Sequence, residues 1–591
     1  MKWQGTPSKS NASSFARSQV TVRSWPVLVD LCVAGALLAG FYLLIWIGRT
    51  WMHPAVPEVT IYRSPSHLPL YALESTVRIF IAYLLSLVFA VVYGYIAAYN
   101  RWLEGLMIAT LDILQSIPVL SFLPGVMLAM MSLFPSRQIG IEMGAILLIF
   151  TGEVWNMAFS FYSSLKNIPQ ELKEACAINR FSRWQRLFQL ELPFSAIGLI
   201  WNSMVSVANG WFFLMVCEMF PVGSRNYRLP GLGSYIQTAA SNGDVVAITW
   251  GLLTMVLIIV LTDQLLWRPI LAWSEKFKFE SVENTERITS PILHLIRNSN
   301  LLQYLSHRAL TPISERFYQR VAHGEQKIRL LPAAEAKQPA RRSLWVTYTL
   351  LTLLVAGCVT SLTLHAVTLL HGTSLHEILT LLYAALMTFL RVNASLIIAS
   401  LWTIPVGVAI GFHPRLASIT QPIAQVVASF PATALFPLIV IGLMDLGMGL
   451  GVGSVILMLI GAQWYILFNV IAGAIAIPSD LREVAGLFRF GSIQRWKTLI
   501  LPGIFPYLIT GLITASGGAW NASIVAEYFK LKGKTLQTVG LGAQISAASD
   551  QGDFSRLLLA TIIMALMVVT INRLVWRRLY HMGETRYRLD A

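Results

Sequence analysis

The sequence predicts an all-α integral membrane protein with about 12 transmembrane helices, arranged as two parallel six-helix repeats. Three observations lead to this fold class. Of the 591 residues, 55% are apolar and only 12% are charged, about half the charged fraction of a typical soluble domain. The mean hydropathy is +0.62, and the two halves of the chain can be aligned with each other. This composition excludes an ordinary soluble enzyme, a disordered chain and a disulfide-rich scaffold.

The predicted spans are runs long enough to cross a hydrocarbon core about 30 Å thick, which takes about 20 mainly apolar residues. In the first half they are 26–48, 78–98, 104–132, 140–161, 194–219 and 246–268. In the second half they are 344–370, 384–411, 419–443, 452–474, 503–526 and 555–576. The first run is too long for a signal peptide, so we expect it to be retained as a helix.

The basic residues predict how the chain is oriented. The net charge is +15, and the polar stretch 273–343 holds twelve basic and seven acidic residues. Because cytoplasmic loops are enriched in Lys and Arg, this stretch and both termini are expected in the cytoplasm. The predicted organisation is a first repeat over 1–272, a cytoplasmic linker over 273–343 and a second repeat over 344–591. The charge then needs no nucleic-acid partner.

An internal duplication relates the two halves. Arg78, Ser116 and Pro118 recur 313 residues later, and beyond a short deletion the offset is 309. The later pairs include Trp155 with Trp464, Glu174 with Glu483, Arg180 with Arg489, Pro193 with Pro502, Trp211 with Trp520 and Glu218 with Glu527. Since each half has an even number of spans, both repeats should have the same orientation, related by an axis along the membrane normal.

Each half carries a polar loop between its fourth and fifth spans. The first loop contains Glu174-Ala175-Cys176 and ends at Leu192-Pro193. Pro169 suits the first turn of a helix, and a break at Ser182 would allow a second short helix. The second loop repeats this pattern from Pro478, with Gly491 at the break. An amphipathic interfacial helix pair without a special role is the alternative, which two copies in register disfavour.

These loops resemble the signature of the permease subunits of bacterial ABC importers. That signature is Glu-Ala-Ala, three residues, Gly, about nine residues, then an apolar residue, any residue and Leu-Pro. Arg180 and Arg489 stand where the family has Gly, so the bend is expected one or two residues later. The span pattern and Ser182-Arg183-Trp184-Gln185 look most like the nitrate, sulfonate, taurine and bicarbonate branch.

The resemblance implies a type I importer fold and a transport function without catalytic residues, metal or cofactor. Each loop would be a coupling helix seated on one of two copies of a separate ATPase subunit, which binds the ATP. A periplasmic or lipid-anchored binding protein would deliver a small solute, with an oxyanion such as nitrate, sulfonate/taurine or bicarbonate as one option. The residues assigned to coupling are Glu174, Ala175, Arg180, Glu483, Val484 and Arg489.

The chain itself is not expected to hydrolyse ATP. A P-loop needs Gly, four residues and Gly-Lys-Ser/Thr. The nearest match is Gly533-Lys534-Thr535, which has Tyr528 in place of the first Gly.

Polar and helix-breaking residues inside the spans are candidates for a translocation path. Glu218 and Glu527 could line that path, or could be stabilised at the outer boundary by pairing with Arg78 and Arg391. The duplicated prolines could expose polar groups to a solute, although kinks needed only for packing are the more economical explanation. The residues assigned to the path are Ser116, Pro118, Ser429, Pro431, Trp211, Glu218, Trp520 and Glu527.

A rival function is an ion- or proton-coupled secondary transporter, which can also have a six-plus-six duplication and intramembrane Glu residues. The duplicated loops favour the importer. A third possibility, a membrane-embedded enzyme, is not supported, because the sequence shows no cluster of metal-ligating residues and no nucleophile arrangement.

Overall fold

The computed structural model describes residues 59–101, 103–135, 138–222, 225–277, 373–428, 430–531 and 533–586, with a few isolated positions besides. These ranges fall into two compact units. One unit holds 167–200 and 262–277, and the other holds the described parts of 54–166, 201–261 and 373–586. Nearly all of the predicted spans 26–48 and 344–370, and most of the linker, lie outside the described residues, so the domain boundaries stay a prediction.

The described part of the first repeat is helical apart from one small hairpin. Its elements are α1 (Leu68–Tyr99), α2 (Glu104–Ser116), α3 (Leu123–Leu133), α4 (Gln138–Lys166), α5 (Gln170–Ile178), α6 (Arg183–Arg186), α7 (Leu192–Cys217), β1 (Met219–Val222), β2 (Arg225–Arg228), α8 (Leu232–Asn242), α9 (Val245–Thr262) and α10 (Arg268–Ser274).

The second repeat has the same elements in the same order. They are α11 (Leu375–Phe412), α12 (Pro414–Ala428), α13 (Ala432–Asp445), α14 (Leu450–Ala476), α15 (Ser479–Leu487), α16 (Ser492–Arg495), α17 (Leu501–Ala526), β3 (Tyr528–Leu531), β4 (Lys534–Gln537), α18 (Leu541–Gln551), α19 (Phe554–Ile571) and α20 (Arg577–Arg586).

Five-residue π-turns join several of these helices without a break, again at matching positions. They are Leu187–Glu191, Asp263–Trp267, Trp496–Ile500 and Asn572–Trp576. With these joins, eight helices in the described part of the chain are long and apolar enough to cross a membrane. They correspond to the predicted second, fourth, fifth and sixth spans of each half, and the all-α membrane fold is confirmed.

The third predicted span of each half is two helices with an extended step between them, and the simple packing kink that we considered more economical was wrong. In the first repeat α2 ends at Ser116, Ile117 is extended (ψ 128°), and α3 begins only at Leu123. In the second repeat Pro431, also extended, precedes α13. A residue before proline is driven out of the helical region by the proline ring. The Ile-Pro and Phe-Pro steps therefore break the helix instead of merely kinking it.

Two antiparallel hairpins, β1–β2 and β3–β4, were not anticipated by the all-α prediction. Leu531 pairs with Lys534 across the second turn, where Gly533 adopts the left-handed conformation (φ +70°) that glycine tolerates best. The near match to a P-loop therefore lies in a hairpin turn and not at the start of a helix.

Small residues let the spans approach closely. A Cβ on Gly94 of α1 would lie 2.9 Å from the Phe161 ring of α4. A Cβ on Gly407, its repeat equivalent in α11, would lie 2.8 Å from Val470 of α14. Helices in lipid associate through such close van der Waals packing, so the duplication preserves the α1–α4 contact as α11–α14.

Candidate functional site

A buried ionic network holds the C-terminal end of α7 in the first repeat. The Glu218 carboxylate accepts hydrogen bonds from Ser75 Oγ (2.6 Å), Arg78 Nη1 (2.8 Å) and the Gly233 N–H (2.7 Å). Arg78 also binds Glu142 through two parallel bonds of 2.6 and 2.8 Å. All of these side chains are buried. Paired and hydrogen-bonded charges of this kind avoid most of the penalty of burial.

The second repeat builds the same network around Glu527. Its carboxylate accepts from Thr388 Oγ1 (2.9 Å), Arg391 Nη1 (3.0 Å) and the Gly542 N–H (2.9 Å). Arg391 Nη2 donates to Thr538 Oγ1 at 2.9 Å. The predicted pairing of the glutamates with the repeated arginines is confirmed, whereas their role in a translocation path stays a prediction.

The two networks differ at one partner of the arginine. The position of Glu142 is occupied in the second repeat by Gly451, so Arg391 meets the Thr538 hydroxyl instead of a second carboxylate. The Arg391 side chain is 16% exposed and that of Arg78 only 2%. The first arginine is therefore the more deeply buried and has more ionic partners.

A third carboxyl group adds to this difference. Glu74 lies one turn before Arg78 on α1, and its carboxyl group is close enough to interact electrostatically with the Arg78 guanidinium. Its repeat equivalent is Met387. Among the described residues, the first repeat surrounds its arginine with three carboxyl groups and the second with one.

Two glycines allow the starts of α8 and α18 to pack directly against these carboxylates. A Cβ on Gly231, before α8, would overlap the Glu218 carboxylate, and one on Gly540, before α18, would overlap that of Glu527. Their backbones are extended, so the requirement is space and not an unusual φ. The duplicated Gly-Leu-Gly segments thus pack closely against the glutamates.

The β3–β4 hairpin of the second repeat is bonded to α18 through Asp550. Tyr528 Oη donates to this carboxylate at 2.7 Å and Lys530 Nζ lies 2.6 Å from it. Burial, and then the hydrogen bond to Asp550, raise the pKa of Tyr528 above its ordinary value.

The broken third segments contact the opposite repeat. The Val119 N–H, freed next to Pro118, donates to Asn521 Oδ1 of α17 at 2.8 Å. Thr561 Oγ1 of α19 donates to the Ser121 carbonyl at 3.2 Å. Backbone freed by a proline inside a membrane must be satisfied by neighbouring protein or a cavity. The other repeat supplies these partners, so the break lies at a seam between the repeats.

The remaining path candidates are placed only in part. Trp211 and Trp520 are buried, with 3% and 1% exposed. Ser429 and the side chain of Ser116 lie outside what the structure describes. A contact that sequence reasoning missed is the hydrogen bond from Tyr465 Oη of α14 to Asn209 Oδ1 of α7, which also joins the two repeats.

The first polar loop is a helix, a tight turn and a second helix. After α5 the chain turns through Arg180, which has a left-handed φ of 54°, and the Phe181 N–H donates to the Cys176 carbonyl at 2.9 Å. Ser182 then caps α6 in a reciprocal capping box with Gln185. The predicted break at Ser182 is confirmed. Partial burial raises the pKa of the Cys176 thiol.

The second polar loop repeats this geometry. Arg489 has φ 52°, the Phe490 N–H donates to the Ala485 carbonyl at 3.0 Å, and Gly491 precedes α16 as predicted. The bend was expected one or two residues after the signature position, and the structure shows that the turn already begins at that position, two residues before Ser182 and Gly491. Arg180 and Arg489 themselves adopt the left-handed conformation that glycine favours.

The residues assigned to coupling all face solvent. Glu174, Ala175, Arg180, Glu483, Val484 and Arg489 are exposed. Large apolar side chains stand beside them, with Ile178 and its equivalent Leu487 each 81% exposed. Exposed apolar groups clustered with charges are typical of a protein-binding surface.

Two repeats of membrane-spanning helices, buried ionic networks at the C-terminal ends of α7 and α17 and a pair of exposed helical loops define a membrane transport permease. The family model described as "Binding-protein-dependent transport system inner membrane component" matches residues 90–265 and again 403–581. These matches cover more than half of the chain, which therefore belongs to this family as a tandem duplicate and is a multi-pass inner-membrane protein.

Among curated proteins the chain is similar to several permeases. It is 29% identical over 185 residues to the nitrate import permease protein NrtB of Leptolyngbya laminosa, covering 31% of this chain and 63% of the relative. It is 28% identical over 195 residues to the bicarbonate transport system permease protein CmpB of Synechococcus elongatus (33% and 67%). It is 29% identical over 161 residues to the taurine transport system permease protein TauC of Escherichia coli (27% and 54%). The matched region is thus about two thirds, or less, of each relative. The predicted branch of the family is confirmed.

Proposed function

We propose that this chain is a transmembrane subunit of an ATP-driven importer, in which one molecule supplies two repeats. Two copies of a separate ATPase subunit would each receive one polar loop, and their ATP-driven closure would switch access between the repeats. The observation that carries this proposal is the pair of exposed loops with the same helix–turn–helix geometry, including a left-handed Arg180 and Arg489.

The second repeat offers a direct mechanical route from loop to membrane. From Ser492 to Ala526 the helix continues through its π-turn for 35 residues, which at about 1.5 Å per residue is about 50 Å. Glu527, anchored to Arg391, stands at its far end. A displacement imposed on the loop would therefore move one stiff element that ends at the outer ionic network.

The solute and its delivery follow from the relatives. Permeases for nitrate, bicarbonate and taurine are similar to this chain, so a small solute of this kind, brought by a periplasmic or lipid-anchored binding protein, is the first candidate. Both termini and the linker would face the cytoplasm, where the basic residues of 273–343 are favoured.

The loops can be tested with a matched pair of variants. Glu174→Ala combined with Glu483→Ala removes one exposed carboxylate from each loop. The control, Glu171→Ala combined with Asp480→Ala, removes one from the first turn of the same two helices. The affinity-purified chain should lose its ATPase partner, and cells should lose solute uptake, only in the first variant, with membrane insertion equal in both. Retention of the ATPase and of uptake at the wild-type level would refute the proposed role of the loops.

A further inference from the structure

Glu153 is a carboxyl group outside the two networks, buried in the middle of a span, and no hydrogen-bond donor of the described residues contacts it. Glu153, halfway along α4, has no exposed surface. Neither of its carboxyl oxygens has a hydrogen-bond partner in the described part of the chain. An unpaired ionised carboxylate in such surroundings is very costly, and ionisable residues inside a membrane are functional candidates by default.

The duplication shows that the fold does not need this side chain. Glu153 fits because its neighbour on α7 is Gly210, where a Cβ would overlap the Glu153 carboxyl oxygen. In the second repeat the two equivalent positions are Ala462 and Ala519, both fully buried. One repeat therefore builds the contact between its fourth and fifth spans from Glu and Gly, and the other builds it from two alanines.

The same stretch of α7 carries a second unpartnered oxygen. Ser206 lies one turn before Gly210, and its buried hydroxyl lacks a hydrogen-bond partner among the described residues, while its repeat equivalent is Ala515. Asn209, next to Gly210, makes the hydrogen bond to Tyr465 of the second repeat. The unpartnered oxygens are thus confined to the first repeat and lie beside the seam between the repeats.

We propose that Glu153, with Ser206, is a cargo contact on the first repeat that accepts a cationic nitrogen, so that the solute carries a protonated amine. This rests on the proposed transport function. While water is excluded, the carboxyl keeps its proton. When the repeats part, it loses that proton to water and the carboxylate can pair with an ammonium group. Simple oxyanions such as nitrate or bicarbonate would meet repulsion here, whereas an amine-bearing zwitterion or cation would not.

Carbodiimide labelling tests the site directly. A protonated carboxyl adds its O–H across a C=N bond of dicyclohexylcarbodiimide, and the adduct rearranges to a stable N-acylurea without a leaving group. The full chain, with its ATPase, would be labelled in membranes and Glu153 quantified by peptide mass spectrometry. Methylammonium chloride should slow labelling about fivefold at about four times its Kd, by mass action. Sodium nitrate at equal ionic strength should leave the rate unchanged, and Glu142, paired with Arg78, should stay unlabelled.

A variant that copies the second repeat separates function from packing. Glu153→Ala combined with Gly210→Ala recreates the Ala462–Ala519 contact, so the melting temperature should stay equal to that of the wild type or rise. A marked fall would show that Glu153 stabilises the fold and would overturn the proposal. Labelling that methylammonium does not slow, or that nitrate slows equally, would also overturn it. Neither result affects the loop variants, on which the proposed function depends.

Discussion

The two ionic networks should respond unequally to the same substitution. In Glu527→Gln the carboxylate charge is lost, and no other carboxylate of the described residues contacts Arg391. In Glu218→Gln the Arg78 guanidinium keeps its two bonds to Glu142, of 2.6 and 2.8 Å. We therefore expect the second repeat to be destabilised more than the first.

The magnitudes follow from what each arginine retains. Removing one partner of a buried ion pair costs about 3–5 kcal/mol, and the partial exposure of Arg391, 16%, places Glu527→Gln at about 3 kcal/mol. Glu218→Gln loses one charge-assisted hydrogen bond and should cost about 1.5 kcal/mol. The difference of about 1.5 kcal/mol corresponds to about a tenfold ratio of the two unfolding constants.

Equilibrium unfolding of the purified chain in mixed detergent and SDS micelles measures both variants. Glu142→Gln is the companion variant: Arg78 then keeps Glu218 but loses the charge behind two bonds, so the cost should be about 1.5–3 kcal/mol. Equal losses for Glu527→Gln and Glu218→Gln, or a larger loss for Glu218→Gln, would refute the reasoning that the second carboxylate makes the first network more tolerant.

Two further predictions concern the loops and the seam. Arg180→Gly and Arg489→Gly should each stabilise the chain by about 0.5–1 kcal/mol, since a left-handed non-glycine residue costs about 1–2 kcal/mol and glycine returns part of that as unfolded-state entropy. The control Arg495→Gly changes a residue in helical conformation and should destabilise the chain by about 1 kcal/mol. If all three variants shifted the melting temperature in the same direction, the explanation would be contradicted. Tyr465→Phe leaves Asn209 without its partner and should cost about 1–2 kcal/mol; no change in the same melts would show that this bond does not stabilise the seam.

Much of the fold could be predicted because the signals are long or duplicated. Eight spans follow from apolar runs of span length, and the loops follow from two copies in register. The pairing of Glu218 with Arg78 could be anticipated because a buried glutamate needs a cation and both residues recur at a constant offset. In the third spans a kink was favoured over a break, because the sequence does not show how far the restriction that Pro118 imposes on the preceding residue interrupts the helix.

Features that are short or present in one repeat alone could not be predicted from the sequence. The hairpins use strands of four residues, too short for a periodic signal, and a single glycine between the strands of each pair, Gly223 or Gly533, is a weak sign of a turn. Glu142 and Glu153 have Gly451 and Ala462 as counterparts, so a search for repeated residues passes over them. The left-handed Arg180 was missed because the sequence shows an arginine where the local geometry favours glycine.

The central claim is that ATP binding by separate subunits moves the two polar loops. The distance between the loops can be measured by double electron–electron resonance. The four native cysteines are first replaced by serine, and spin labels are then attached through Ile178→Cys and Leu487→Cys, at positions that are both 81% exposed. We predict that ATP shortens this distance only when the ATPase subunits are bound. An unchanged distance with ATP and ATPase present, or a change produced in the chain alone by an ion gradient, would contradict the account and favour a secondary transporter.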